Sequence, residues 1–267
     1  MGKLTRAELA AHRQAVAMLE EPGALDLDRI AAIFERYHEG AESDQTGASA
    51  YFTPCGLASD LQLDTPSGGS LVDLCAGIGR LAYFASGRWR YEPDSFARIV
   101  CVEINPRYCE VGRRLFPEAE WICGDALDPA IIRQIGNVDF AISNPPFGRA
   151  TKSEHKAPRY KGADFDLAVM DVAAAIAPEC WAIVPADRAP WDAQGRTRES
   201  RAAEQFQKAT GLGLHRFSSV DCSYYRNEWR GVAPAVEIVG FGVEFENERR
   251  DGLPLTMPSL SRLLEAA

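Results

Sequence analysis

Apolar positions along the first forty residues fall at helical spacing. Leu9, Val16 and Leu19 recur near one face, and Leu27, Ile30, Ile33, Phe34 and Tyr37 make a clearer stripe. Pro22-Gly23 punctuates the two segments. The pattern predicts a helical appendage packed on a larger domain, with a substrate or partner surface as the other use of those helices. Residues 40–50 are small and polar and read as a loop. The period then changes. Short apolar runs at 70–75, 98–103, 119–123, 138–143 and 180–184 read as strands, and helix-like stretches, notably 106–116 and 166–177, separate most of them. Strands alternating with helices imply a mainly parallel sheet covered on both faces. Runs 214–220 and 235–245 are also strand-like, with only the polar, aromatic segment 221–232 between them. No crossover helix has room there, so an antiparallel edge hairpin is predicted. The fold class expected is α/β, a doubly wound and mainly parallel seven-stranded sheet with N-terminal helices. Its expected divisions are an appendage over 1–45, the sheet domain over 46–246 and a charged, weakly helical tail over 247–267.

Composition narrows this little. Hydrophobic residues make up 46% and charged residues 25% of the 267, as in ordinary globular proteins. No apolar run approaches the roughly 18 residues of a membrane span. The charged, helical start Lys3-Leu4-Thr5-Arg6 has no apolar signal core behind it. A cytoplasmic protein with no membrane partner is expected. Cys75, Cys101, Cys123 and Cys180 lie in or beside apolar runs, where a thiol acts as a small hydrophobe. With no C-x-x-C pair, and with His12, His38, His155 and His215 far apart, no metal site is expected. The formal charge of −9 moves the question of a phosphate-bearing partner from the sum of charge to its distribution.

The segment Asp73-Leu74-Cys75-Ala76-Gly77-Ile78-Gly79-Arg80-Leu81-Ala82 runs from strand through a glycine turn into helix. Gly77 and Gly79 let the backbone turn tightly and approach a ligand closely. This makes the sheet Rossmann-like, and Gly77-x-Gly79-x-x-Ala82 also fits a loose dinucleotide fingerprint. Asp73, just before the turn, suits a cationic amino-acid moiety better than a pyrophosphate. Glu103 ends the second strand, where an acid can accept from ribose hydroxyls, and Asp125 after the third can accept from an adenine amino group.

The fourth strand ends in Asn144-Pro145-Pro146-Phe147. Two prolines remove two amide donors and fix φ. The Asn144 side-chain oxygen and the Pro145 carbonyl can both accept from one amino group, while Phe147 offers a flat face to a planar ring. An aryl amine is a poor nucleophile because its lone pair is delocalised. Two acceptors on its hydrogens favour a pyramidal nitrogen, and alignment with a methyl donor supplies the rest.

Asn144-Pro145-Pro146-Phe147, Asp73-x-x-x-Gly77-x-Gly79 and Tyr51-Phe52-Thr53-Pro54 together resemble adenine-N6 DNA methyltransferases of the gamma arrangement. Phe147-Gly148 and Asp166-Leu167-Ala168 resemble in particular the modification subunits of type I restriction systems; the likeness covers roughly residues 50–190. The resemblance implies S-adenosyl-L-methionine as cofactor, held by Phe52, Thr53, Pro54, Asp73, Ala76, Gly77, Gly79, Glu103, Ile104, Asp125 and Ala126. It implies catalysis and target binding by Asn144, Pro145, Pro146 and Phe147. The Asn-Pro-Pro-Phe motif is shared with RNA methyltransferases, and its Tyr form with glutamine methyltransferases of release factors. The early Phe-Thr-Pro favours DNA over RNA.

A duplex base must leave the stack to enter such a pocket. Arg149, Lys152, His155, Lys156, Arg159 and Lys161 follow the motif and would contact phosphate, or else merely decorate a solvated loop. A second group, Arg188, Trp191, Arg196, Arg198 and Arg201, and the insert Tyr224-Tyr225-Arg226-Asn227-Glu228-Trp229-Arg230 either serve substrate or pack in the fold. Sequence-specific gamma enzymes carry a separate recognition domain, for which little chain remains after Trp191. Recognition is then relaxed, or shared with the N-terminal helices, or supplied by a specificity partner protein. Three other readings stay open: an RNA amino or protein glutamine methyltransferase, an NAD-dependent oxidoreductase, and an inactive cofactor-binding subunit.

Overall fold

The computed structural model describes residues 4–41, 51–90, 96–148, 153–192, 194–230 and 233–242. A reciprocal capping box starts helix α1 (Arg6–Glu20): the Glu8 amide donates to the Thr5 hydroxyl at 3.2 Å, and the Thr5 amide donates back to the Glu8 carboxylate at 2.7 Å. Asp26 caps α2 (Leu27–Arg36), accepting from the Arg29 amide at 2.8 Å. Ile30, Ile33, Phe34 and Tyr37 are buried as their spacing predicts. Leu9 is exposed, and His12 and Ala15 take the inward positions of α1. The reason is the His12 ring, which packs 4.7 Å from that of Tyr37 and sets the rotation of the helix.

Seven strands follow: β1 (Ser70–Leu74), β2 (Arg98–Glu103), β3 (Glu120–Cys123), β4 (Phe140–Ser143), β5 (Glu179–Pro185), β6 (His215–Arg216) and β7 (Val236–Phe241). They form one sheet in the order β3-β2-β1-β4-β5-β7-β6, parallel through β5 and antiparallel at β7 and β6. The expected doubly wound sheet is present, but its edge differs in detail. β7 pairs mainly with β5, and β6 keeps only two residues. The Phe217 ring turns inward to within 5.8 Å of Phe140 and 6.4 Å of Trp181, which draws the chain off the sheet edge. Residues 243–245 of the expected strand, and the tail, lie outside the described residues.

Six further helices cover the sheet: α3 (Cys55–Leu61), α4 (Arg80–Ala85), α5 (Pro106–Leu115), α6 (Pro129–Ile135), α7 (Phe165–Ile176) and α8 (Arg201–Thr210). Strand alternation sorts the core. Val72, Leu74, Val100, Val102, Ala141 and Ala182 pack with α6, α7 and α8. Leu71, Phe140, Ile142, Trp181 and Ile183 pack with α3 and α4. A third cluster joins Ile33, Phe34 and Tyr37 of the N-terminal segment to Phe52, Ile78, Ala82 and Tyr108, so the first two helices share their core with the glycine turn. Among the described residues no helix is long and apolar enough to cross a membrane.

Candidate active site

Strand order reverses between β1 and β4, which are neighbours although β2 and β3 come between them in sequence. Ligands of such sheets bind beyond the strand C-termini at that reversal. Leu74 is in register with both Val102 and Ser143, so β1, β2 and β4 end level there. Cys75, Gly77 and Gly79 then adopt φ of +67°, +59° and +85°. A Cβ on Gly77 would stand 2.9 Å from the Phe52 ring, and one on Gly79 2.8 Å from Trp121. Conformation and space both require glycine at these two positions.

Asp73 is sealed beneath the turn, 0% exposed. Its Oδ2 accepts from the Ala82 amide at 3.2 Å and ties the following helix to the strand, whereas Oδ1 is buried with no partner among the described residues. Burial pushes this carboxyl well above the usual carboxylate range, and the nearby Glu103 adds to the effect. Glu103 ends β2 and accepts from the Gly77 amide and the Asn105 amide, each at 2.8 Å. Burial raises its pKa to about 7. Ile104 beside it is exposed, while Ala76 and Ala126 are buried. Asp125 accepts from the Leu127 amide at 2.9 Å and from the Ser153 hydroxyl, which brings the loop after Gly148 onto the end of β3.

At the end of β4 the Asn144 Nδ2 donates to the Tyr51 carbonyl and to the Thr53 hydroxyl, both at 2.9 Å. A carbonyl can only accept, so the amide can face it only with its nitrogen. Both amide protons are thereby used, and Oδ1 is the polar atom that Asn144 has left for a ligand. Pro145 is buried, and Pro146 and Phe147 are half-buried. The Phe147 ring lies 6.3 Å from that of Trp229. The next turn is fixed from below: the Gly148 amide donates to Asp166 at 3.2 Å, its carbonyl accepts from Phe165 at 3.1 Å, and Arg188 pairs with Asp166 and Asp164 at 3.4 and 2.9 Å.

The basic residues divide. Arg149 and Lys152 lie outside the described residues. Lys156 is exposed, and Lys161, also exposed, folds its ammonium onto the Ala157 and Pro158 carbonyls at 3.0 and 3.3 Å. Arg159 instead pairs at 2.8 Å with Asp171, a fully buried carboxylate that also accepts from the amides of Arg159 and Tyr160. The later groups divide too, with Arg196, Arg198, Arg201 and Arg226 exposed. Arg188 is paired as above, Trp191 and Trp229 are buried, and Arg198 donates to the Ala186 and Ala189 carbonyls. Tyr224 of the insert is exposed.

One arginine escaped the sequence reading, and Arg230 of the insert proves to pack in the fold. Arg80, directly after Gly79, is 5% exposed and donates to the Thr53 carbonyl at 2.5 Å and to the Phe34 carbonyl. Its guanidinium carbon lies 5.7 and 5.6 Å from the Phe34 and Phe52 ring centroids. Arg230 donates to the Tyr37 carbonyl at 2.5 Å and to that of Glu35. Together they satisfy carbonyls at the C-terminal end of α2 that no helical amide can reach. Glu39, buried, holds the Phe52 amide at 3.1 Å. The available signal was Arg80 itself, a charge between a glycine turn and the apolar Leu81-Ala82-Tyr83.

Comparison with known proteins gives no matching family model and no matching curated protein. Solved structures do match in fold. A type I restriction-modification methyltransferase subunit from Streptococcus thermophilus is 14% identical, with a TM-score of 0.53 over 82% of this chain and 51% of that one. The type I restriction enzyme EcoKI M protein is 12% identical, with a TM-score of 0.54 over 90% and 55%. A Listeria monocytogenes protein described as a class I S-adenosylmethionine-dependent methyltransferase is 10% identical, with a TM-score of 0.54 over 90% and 73%. This chain therefore spans about half the length of the two restriction-system proteins. At such identities the likeness establishes the Rossmann-like fold.

Proposed function

We propose that this chain is an S-adenosyl-L-methionine-dependent methyltransferase acting on an exocyclic amino group, adenine N6 in DNA. The observation that carries the reading is the state of Asn144. Its nitrogen is fully engaged, and its free oxygen stands at the end of the strand adjoining the glycine turn. A carboxamide fixed in this way is an acceptor for an amine and offers no hydrogen to it.

The strand ends suit the cofactor. Gly77 and Gly79 let the turn pass tightly against Phe52 and Trp121, Glu103 is a carboxylate suited to two ribose hydroxyls, and Asp125 suits an adenine amino group. Asp73, with one oxygen buried and unpartnered, supports the turn from below. The bound cofactor would supply a sulfonium methyl as electrophile. Asn144 Oδ1 and the Pro145 carbonyl would accept the two amine hydrogens and localise the nitrogen lone pair, while Phe147, backed by Trp229, would face the ring. The amine leaves the reaction with one methyl more and one proton fewer, the proton passing to solvent. Lys156 and Lys161, with Arg149 and Lys152, would contact phosphate at the entry.

The test is transfer of tritium-labelled methyl to DNA, RNA and protein fractions, followed by digestion and identification of the modified unit. N6-methyladenine in DNA is expected. Asn144→Ala should cost at least about 100-fold in rate while cofactor affinity stays within a few fold. Label in a carboxyl or thiol group, or an Asn144→Ala protein that still methylates, would sink the reading.

A further inference from the structure

Thr53 stands at an unusual junction. It is 3% exposed, its carbonyl is held by Arg80 at 2.5 Å, and its hydroxyl accepts from Asn144 at 2.9 Å. Arg80 has no carboxylate partner among the described residues. It spends its guanidinium on two backbone carbonyls, Thr53 and Phe34, between two aromatic rings. Its two terminal nitrogens meet these carbonyls while Nε is buried with no partner among the described residues, and a buried guanidinium cannot give up the bonds it has without a large cost. Arg80 is also the first residue of α4, directly after Gly79. The glycine turn, the Tyr51–Thr53 segment and Asn144 are thus joined by two consecutive hydrogen bonds.

A threonine hydroxyl has one hydrogen and two acceptor lone pairs. The Thr53 oxygen accepts from Asn144, and its own hydrogen has no acceptor among the described residues. An anionic ligand group that reached Thr53 would take that hydrogen. A hydroxyl that donates becomes a better acceptor, because hydrogen bonds in a chain polarise one another.

We infer that Thr53 is a positioning residue: seated by Arg80, its hydroxyl steadies the Asn144 amide that the Tyr51 carbonyl orients, and passes occupancy of the glycine-turn site on to it. The inference rests on the proposed function for its purpose but not for its geometry. Without the hydroxyl, one Asn144 proton loses its acceptor and the amide is held by the Tyr51 carbonyl alone, so its oxygen is less tightly fixed where the amine needs an acceptor.

The test compares Thr53→Val, which keeps shape and removes the hydroxyl, with Thr53→Ser, which keeps the hydroxyl. In the ligand-free protein the side-chain amide signals of Asn144, identified by their loss in Asn144→Ala, are followed by proton exchange with solvent. Thr53→Val should speed that exchange about ten-fold, the equivalent of one lost hydrogen bond, and Thr53→Ser should restore it. S-adenosylhomocysteine, used as probe, should slow exchange in the wild type and in Thr53→Ser but not in Thr53→Val. In turnover, Thr53→Val should lower kcat about ten-fold or more, with probe affinity changed less than kcat. Unchanged Asn144 exchange in Thr53→Val, or failure of serine to rescue, overturns the inference. The exchange readout needs no substrate. A wild-type protein that methylates no amine would therefore defeat the proposed function while leaving the inference to be judged on exchange alone.

Discussion

Replacing Glu103 by glutamine should make the protein more stable at alkaline pH and, on the proposed function, less able to bind S-adenosylhomocysteine. Glu103 is 8% exposed, and burial raises its pKa from 4.5 to about 7. Between those values the folded chain keeps a proton that the unfolded chain has released, so stability falls as pH rises through that window. A shift from 4.5 to about 7 corresponds to about 3 kcal/mol at 1.36 kcal/mol per unit. Glutamine carries no charge and escapes this loss, but its NH2 cannot accept from both the Gly77 and Asn105 amides, which costs about 1 kcal/mol. Glu103→Gln should therefore be about as stable as the wild type at pH 5, where the wild type has already begun to lose this stability, and more stable by roughly 2 kcal/mol at pH 8. Urea denaturation of both proteins at pH 5, 6.5 and 8 measures the difference. Taking that difference cancels the pH dependence of the other carboxyls, Asp73 and Asp166, whose pKa values burial also raises. The gain should be paired with loss of affinity for S-adenosylhomocysteine, since one hydroxyl acceptor is removed. A difference that does not vary with pH would refute the argument, as would a Glu103→Gln protein that binds as tightly as the wild type.

Arg159→Ala strands a fully buried carboxylate, Asp171, without its cation and should cost about 3–5 kcal/mol. Thermal denaturation checks it, and a stable Arg159→Ala protein whose only change is a shallower salt dependence of DNA binding would restore Arg159 to the phosphate surface. Gly79→Ala must place a side chain at φ +85° and 2.8 Å from Trp121. It should lose about 1–3 kcal/mol and weaken probe binding in calorimetry; unchanged stability would show that the turn relaxes freely.

Most of the fold was legible because the parallel strands are built on short apolar runs, such as Val100–Val102 or Phe140–Ile142, covered on both faces. The short helices α3, α6 and α8 were less legible, since seven to ten residues carry too few turns to show a period. β6 shrank because Phe217 serves the core of the opposite strands, a fact about β4 and β5 and not about its own segment. The acids at the strand ends were found from their place after each run, but their depth was not. Asp73 is sealed and Asp125 receives Ser153, and neither follows from spacing. The basic groups were least legible. Arg159 meets Asp171, and Arg188 meets Asp164 and Asp166, across 12, 24 and 22 residues of chain. A run of cations looks the same in sequence whether its counter-charges are phosphates or buried carboxylates.

That distinction bears on how the site is held. The residues proposed for chemistry sit on a strand end, but the groups that fix them come from the length of the chain. Phe34 and Thr53 accept from Arg80, Tyr51 and Thr53 accept from Asn144, Glu35 and Tyr37 accept from Arg230, and Gly148 donates to Asp166. The receiving atoms are largely backbone carbonyls, which cannot be changed by substitution and do not titrate. Two of the four donors are guanidiniums, which stay charged at every accessible pH. A site fastened in this way keeps its acceptor geometry while the carboxylates beside it, Glu103 above all, change protonation. The cost is that α2 cannot be separated from the site without taking from Arg80 one of its two carbonyls and from Arg230 the carbonyls of Glu35 and Tyr37. The N-terminal segment then acts on the chemistry through the carbonyls at its helix end, whatever its outer face may meet.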